Sequence, residues 1–197
     1  MEPPVQPDQR GVIELVLDEH LNRQVLHRTA DIGVDKVVSA ARVISELNPD
    51  VRVRTHVERL DAARTAELAA DYDLVVDASD SFGSKYALND GAVQAGKPLV
   101  HAGVEGMVGQ LAVLGLPGGP CLRCVFPEPP PDSDEPRAIL GAAAGVLGAL
   151  EAAEALKLLA HMGEVSDAKM LLVNLWRWQF HTVTIHRSAE CPVCGGR

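Results

Sequence analysis

Several things are missing from this chain of 197 residues, and each absence excludes a class of function. It has no run of basic residues. With 18 Lys and Arg against 27 Asp and Glu, a net charge of −9, it has no electrostatic footprint for a nucleic-acid backbone. No apolar stretch reads as a membrane span. The longest, ILGAAAGVLGALEAAEALKLLA, carries Glu151, Glu154 and Lys157 on one helical stripe, which leaves a wide apolar face for packing on a sheet. The opening MEPPVQPDQR lacks the basic start and apolar core of a secretory signal, so a reducing, cytoplasmic setting is expected, with residues 1–10 disordered. Aromatics are scarce at 4%, no internal repeat is visible, and the one biased stretch is the Pro-rich acidic FPEPPPDSDEPR. At 47% hydrophobic content the chain is long enough for one domain with a sizeable core.

No cysteine lies outside two C-x-x-C pairs: Cys121 and Cys124 in PCLRC, and Cys191 and Cys194 in CPVCG. Two such knuckles far apart in sequence supply the four thiolates of a closed structural zinc site, which would tie the end of the chain to its middle. Two disulfides, or a redox pair, are the alternatives. Disulfides disagree with a reducing compartment. A redox pair normally opens a helix after a strand, whereas PCLRC sits among Gly and Pro. Zinc is therefore the expected ligand, with a structural and not a chemical role.

Period and punctuation give the element order. GVIELVLDE reads as a strand or strand remnant, and VRVRTHVERL, DLVVDASD, PLVHAGVE and GQLAVLGL as strands; VDKVVSAARVISELNPD, DAARTAELAADY and SKYALNDGAVQAGK read as helices. Strand and helix alternate through the first half, which implies a parallel α/β sheet. The second half adds the long helix, then MLLVNLW and FHTVTIHR as an antiparallel pair. In such sheets ligands bind at the carboxyl ends of strands, and the DASD run after DLVV ends one. Asp80 there, with Arg23, Gln24 and Lys36 in HLNRQVLHRTADIGVDK, makes a set suited to phosphates: a carboxylate for Mg²⁺ and cations for phosphate oxygens. Taken singly, each of these residues reads equally well as a solvated surface group.

Six ordered segments, HLNRQVLHRTADIGVDKVVSAARVISELNP, DLVVDASDSFGSKYALND, PLVHAGVEGMVGQLAVL, PCLRC, GVLGALEAAEALKLL and CPVCG, resemble the ThiF/MoeB/HesA family of ubiquitin-activating-type adenylyltransferases from about Val12 to Cys194. The resemblance implies a Rossmann-like, mostly parallel sheet with flanking helices, C-terminal antiparallel strands and a four-cysteine zinc subdomain, in a single, N-terminally incomplete domain. It implies ATP- and Mg²⁺-dependent activation of the C-terminal Gly of a ubiquitin-like sulfur-carrier protein ending in Gly-Gly, by a homodimer. By the same resemblance Arg23, Gln24 and Lys36 lie beside the ATP phosphates, Asp80 is the Mg²⁺ ligand and Cys121, Cys124, Cys191 and Cys194 hold the zinc. Attack by an already anionic carboxylate needs no general base, which suits a set without a Ser-His-Asp or Cys-His pair.

The chain departs from the family pattern in places. The G-x-G-G-x-G turn that opens the family's fold has no counterpart, nor has the early arginine that acts across its dimer. Glu19 and His20 stand at the S-N of S-N-L-x-R-Q when no gap is allowed, which would put the ribose-binding Asp at Val12. A shortened loop instead makes Asp18 that residue, and this is preferred because PPVQP is a poor strand. Ser81 replaces the usual Asn and Lys85 the usual Arg. PDSDEPRAIL has no cysteine to carry a thioester or persulfide. Two functions follow as expectations: an adenylyltransferase, or a catalytically incomplete module that binds a ubiquitin-like protein or a full-length relative without adenylating it. A dinucleotide oxidoreductase, suggested by the α/β alternation alone, lacks the Gly-rich turn and gives no reason for paired knuckles.

Overall fold

The computed structural model describes residues 14–130 and 139–196. The expectation of disorder over residues 1–10 and the cysteine-free PDSDEPRAIL loop fall wholly or largely outside them. The chain divides into two compact units, Met1–Arg59 and Leu60–Arg197.

In the first unit the periodic apolar residues after Gly33 form helix α1, Lys36–Leu47, entered from Asp35 and ended at Asn48 before Pro49. Its inner side carries the buried Ser39 and Val43. Before it, Asp18–His20 and Thr29–Asp31 are single 3₁₀ turns. Of the two extended segments expected in this unit, GVIELVLDE is a remnant in its described part and VRVRTHVERL forms no strand. From GVIELVLDE the described part contributes one bridge, Leu15 to Asp35, and residues 51–59 of VRVRTHVERL belong to no strand. The reason lies in pairing. Alternation makes a strand only where one face is buried, and Val51, Val53 and Val57 are all 40% exposed or more.

The second unit holds a five-stranded sheet in the order β1 (Val75–Asp77), β2 (Leu99–Glu105), β3 (Val108–Leu114), β4 (Lys169–Asn174), β5 (Gln179–Thr184). β1 and β2 are parallel, joined by helix α3 (Phe82–Ala95), as a β-α-β crossover requires. The remaining neighbours are antiparallel. The α/β class, the flanking helices and the C-terminal antiparallel pair therefore stand, while parallel pairing between the described strands of the sheet is confined to β1 and β2, with one isolated parallel bridge between Gly106 and Ile139. Consecutive strands β2 and β3 turn on Gly106 and Met107, and Gly106, at φ 58, takes the left-handed conformation that opens such a two-residue turn.

Helices cover both faces of the sheet. Leu99, Ala112, Leu114 and Met170 point to one face, where they pack with Tyr86 of α3 and Leu122 of the short α4 (Leu122–Val125). Ala102, Leu111 and Val173 point to the other and pack on Leu147 of α5 (Gly141–Ala160). The opposite facing of Leu99 and Ala102 follows from the period of two along a strand. Burying side chains such as Leu99 and Leu114, each 1% exposed or less, contributes about 2 kcal/mol apiece. Helix α2 (Ala62–Ala69) starts at Asp61, whose side chain accepts from the Arg64 N–H at 2.7 Å, and lies close on α3 at Gly91. A Cβ at Gly91 would come within 2.6 Å of Ala62 O, so glycine there is a packing requirement.

Candidate functional site

The strand end singled out by its carboxylates is built as follows. Register pairs Asp77, the last residue of β1, with His101 of β2, and both residues are buried to 1% exposure or less. His101 Nδ1 lies 2.7 Å from Asp77 Oδ2, with the ring proton donated to the carboxylate. From α3, Lys85 reaches in: its Nζ donates to Ala102 O at 2.8 Å and stands 3.3 Å from Asp77 Oδ2. The other Asp77 oxygen accepts from the Ser79 N–H at 3.0 Å and from the Ser79 hydroxyl. Burial would raise the Asp77 carboxyl, but the His101 hydrogen bond and the Lys85 charge outweigh it and hold it below the ordinary range.

Three residues on, Asp80 is exposed, and no hydrogen bond or ion pair engages its carboxylate among the described residues. Next to it Ser81 caps α3: its Oγ accepts from the Ser84 N–H at 3.1 Å and donates to Ser84 Oγ at 2.8 Å. Asp80 thus stands at the carboxyl end of β1, where the sheet type places ligands, and is free to take a cation.

Glu151 adds a second buried carboxyl to this region. The sequence puts it on a charged stripe of α5 with Glu154 and Lys157. The latter two do form an ion pair, half-buried, whereas Glu151 is 7% exposed and its Oε1 has no hydrogen-bond partner among the described residues. Burial first, and the nearby Asp77 charge second, push its carboxyl up to about 7, against the opposing pull of Lys85. Sequence reasoning missed this group of Asp77, His101, Lys85 and Glu151. The available signal was slight: Asp77 stands first in the D-x-x-D whose last residue is Asp80, and Lys85 occupies the position of a family arginine.

In the first unit, Lys36 is the first residue of α1 and pairs with Glu14 at 2.9 Å. Arg23 donates to Glu19 O and Asn22 Oδ1 at 3.0 and 3.1 Å. Gln24 keeps a buried Oε1 without a partner among the described residues, and Asp18 is exposed at the start of its 3₁₀ turn. Arg23, Gln24, Lys36 and Asp18 therefore share one unit, and Asp80 belongs to the other.

The four thiols meet. Cys121 and Cys191 lie 3.6 Å apart, Cys124 and Cys194 3.3 Å, Cys121 and Cys124 4.0 Å, and all four sulfurs lie within 4.8 Å of one another. Zinc–thiolate bonds of about 2.3 Å at tetrahedral angles would set sulfurs about 3.8 Å apart. The cluster therefore fits one tetrahedral cation better than two separate bridges. Burial and the adjoining sulfurs raise the Cys121 thiol, so ionising the set calls for a compensating positive charge. Backbone N–H groups near the closing turn act the opposite way on Cys191, whose thiol falls to about 7 despite burial. Both knuckles pack with Val93 at the end of α3 in one small core.

Among the described residues no helix is long and apolar enough to cross a membrane. Comparison with known proteins agrees with this architecture. The ThiF family model matches residues 14–193. The sulfur carrier protein adenylyltransferase of Thermus thermophilus is 41% identical over 196 residues, covering 94% of this chain and 72% of that protein. The SAMP-activating enzyme E1 of Haloferax volcanii is 40% identical, with the same coverage of 94% and 72%. Adenylyltransferase and sulfurtransferase MOCS3 of Arabidopsis thaliana is 40% identical; 95% of this chain matches 42% of that longer protein. Among solved structures, E. coli MccB with ATP superposes with a TM-score of 0.81 at 21% identity, covering 93% of this chain and 57% of that one. At that identity the likeness is one of fold.

Proposed function

Because the chain belongs to the ThiF family, we propose that it adenylates the C-terminal Gly of a ubiquitin-like sulfur-carrier protein ending in Gly-Gly, as a homodimer in a reducing cytoplasm. The observation that carries this reading is the exposed, unengaged Asp80 at the carboxyl end of β1, in a chain 41% identical to a sulfur carrier protein adenylyltransferase. Each unit carries donors of a kind that a nucleoside triphosphate takes. Arg23 and Lys36 supply positive charge for phosphate oxygens, Gln24 a polar side chain beside them, Asp18 an acceptor for the ribose, and Asp80 a carboxylate for Mg²⁺.

The chemistry asked of these residues is alignment and charge neutralisation. The carrier's terminal carboxylate oxygen forms a bond to the α-phosphorus of ATP. The bond from that phosphorus to the bridging oxygen breaks, and pyrophosphate leaves with the electron pair. No proton moves in this step, so the chain needs no general base. Arg23 and Lys36 would take up the charge that spreads over the phosphate oxygens, and Asp80 would hold Mg²⁺ through its carboxylate. Bound Mg²⁺ supplies further electrostatic stabilisation of the leaving pyrophosphate. Cys121, Cys124, Cys191 and Cys194 hold zinc and keep the end of the chain against α3; they take no part in the transfer.

A second reading is supported by the engagement of the first unit's cations within their own chain, Lys36 with Glu14 and Arg23 with Glu19 and Asn22. On that reading the chain is a catalytically incomplete module that binds a ubiquitin-like protein or a full-length relative. ATP–pyrophosphate exchange in the presence of a carrier ending in Gly-Gly separates the two. Carrier-dependent exchange supports the enzyme, whereas carrier binding without exchange in zinc-loaded protein establishes the module.

A further inference from the structure

Asp80 is flanked by two residues that are each tied down. On one side Ser79 gives both its N–H and its hydroxyl to Asp77 Oδ1; on the other Ser81 exchanges hydrogen bonds with Ser84 at the start of α3. A segment of only three residues, 78–80, joins Asp77 to that cap, so pinning its two ends leaves Asp80 little backbone freedom. Asp77 can hold Ser79 because it is itself immobile, at 0% exposure and taken by His101 and Lys85 from two other elements. Lys85 is fixed in turn by Ala102 O.

A buried carboxylate and a buried ammonium are costly to desolvate, and apolar residues could join α3 to the sheet more cheaply. An ion pair used only for adhesion would also need no bond to the loop. Here the loop residue Ser79 contributes two donors to one oxygen, which an anchor between helix and sheet does not call for. We propose that Asp77, clamped by Lys85 and His101, is a positioning residue that holds the Ser79–Asp80 segment in one conformation and so presents the Asp80 carboxylate ready to bind a divalent cation. The inference rests on the adenylation reading only for the use to which Asp80 is put. Preorganisation of this kind lowers the entropy lost when a cation is captured.

The test uses the full ¹⁵N-labelled chain with its zinc in place, and the variants Asp77→Asn, Ser79→Ala, Ser79→Thr and Lys85→Arg. Ser79→Ala removes a loop donor without touching the buried pair, so it decides the matter if Asp77→Asn fails to fold. Two quantities are read: hydrogen exchange of the Ser79 and Asp80 amides, and Mn²⁺-induced line broadening around Asp80, with Mn²⁺ alone and with ATP. Ser79→Ala should melt near the parent, exchange those two amides faster, and need about tenfold more Mn²⁺ for the same broadening, the effect of one hydrogen bond to a charged group. Ser79→Thr and Lys85→Arg should restore parental behaviour. Unchanged amide exchange in both Ser79→Ala and a folded Asp77→Asn would overturn the proposal. If the parent shows no broadening at Asp80 even with ATP, the adenylation reading fails by itself, and amide exchange still decides whether Asp77 positions the loop.

Discussion

Replacing Glu151 by glutamine removes a buried acid whose environment penalises its charge. In the folded chain the Glu151 carboxyl titrates at about 7, against 4.5 for an ordinary glutamate. The groups facing it are Asp77 from β1, which opposes ionisation, and Lys85 from α3, which favours it. Between the two pKa values the folded protein retains a proton that the unfolded chain has released, so stability falls as pH rises. The contribution is fully present below about pH 4.5 and lost once pH passes about 7. At ~1.4 kcal/mol for each unit of offset, the whole effect is about 3 kcal/mol. Glutamine has no such titration. Glu151→Gln should therefore gain about 3 kcal/mol over the parent between pH 4.5 and pH 8, or roughly 5–10 °C in melting temperature for a chain of this size. Any fixed cost of burying the amide cancels, because the comparison is made across pH and not at one value. The assay is urea unfolding, or thermal melting by circular dichroism, of both proteins in matched buffers at half-unit steps. A stability difference that stays level from pH 4.5 to pH 8 would show that Glu151 titrates normally and is not held in this buried environment.

Cys191→Ser, or prolonged chelation, should release one zinc per chain by elemental analysis and unfold the second unit, since thiolate-held zinc contributes on the order of 10 kcal/mol to folding. An unchanged melting curve after metal loss would reject the structural role. Gly91→Ala should destabilise by about 3 kcal/mol, because the added Cβ would collide with Thr65 Cβ and come within 2.6 Å of Ala62 O; a melting temperature equal to the parent's would mean that α2 and α3 do not pack this closely. Lys36→Ala and Asp80→Ala should abolish carrier-dependent ATP–pyrophosphate exchange while moving the melting temperature little, as Lys36 loses only a partly exposed ion pair and Asp80 no partner among the described residues. Normal exchange in both would remove the roles proposed for them.

Residues whose meaning lies in local spacing are legible in the sequence. Two C-x-x-C knuckles announce a four-thiol cluster because each pair already shares one turn, and the fold has only to bring the two pairs together. Helix α3 is legible in SKYALNDGAVQAGK, though it starts two residues earlier, at Phe82 behind the capping Ser81, and β2 and β3 are legible as apolar runs bounded by turn residues. VRVRTHVERL misled for a physical reason: alternation describes a strand's two faces but not whether a partner covers one of them. Glu151 misled likewise. Its spacing with Glu154 and Lys157 on α5 is that of a solvated stripe, yet the helix is rotated so that Glu151 is buried near Asp77 while the other two pair with each other half-buried.

By itself the sequence determined the family, the α/β class, the four sulfurs and the acidic strand end, because these depend on the identity and spacing of residues within a few positions of one another. The tertiary structure alone decided that Asp77, Lys85, His101 and Glu151 share one buried region, and that Asp77 reaches forward to Ser79 while Asp80 stays open. Those four residues span 74 positions from Asp77 to Glu151 on two strands and two helices. Their charges interact through space, across a sheet whose register and helix rotations come from packing the whole core, and no local stretch of chain encodes that.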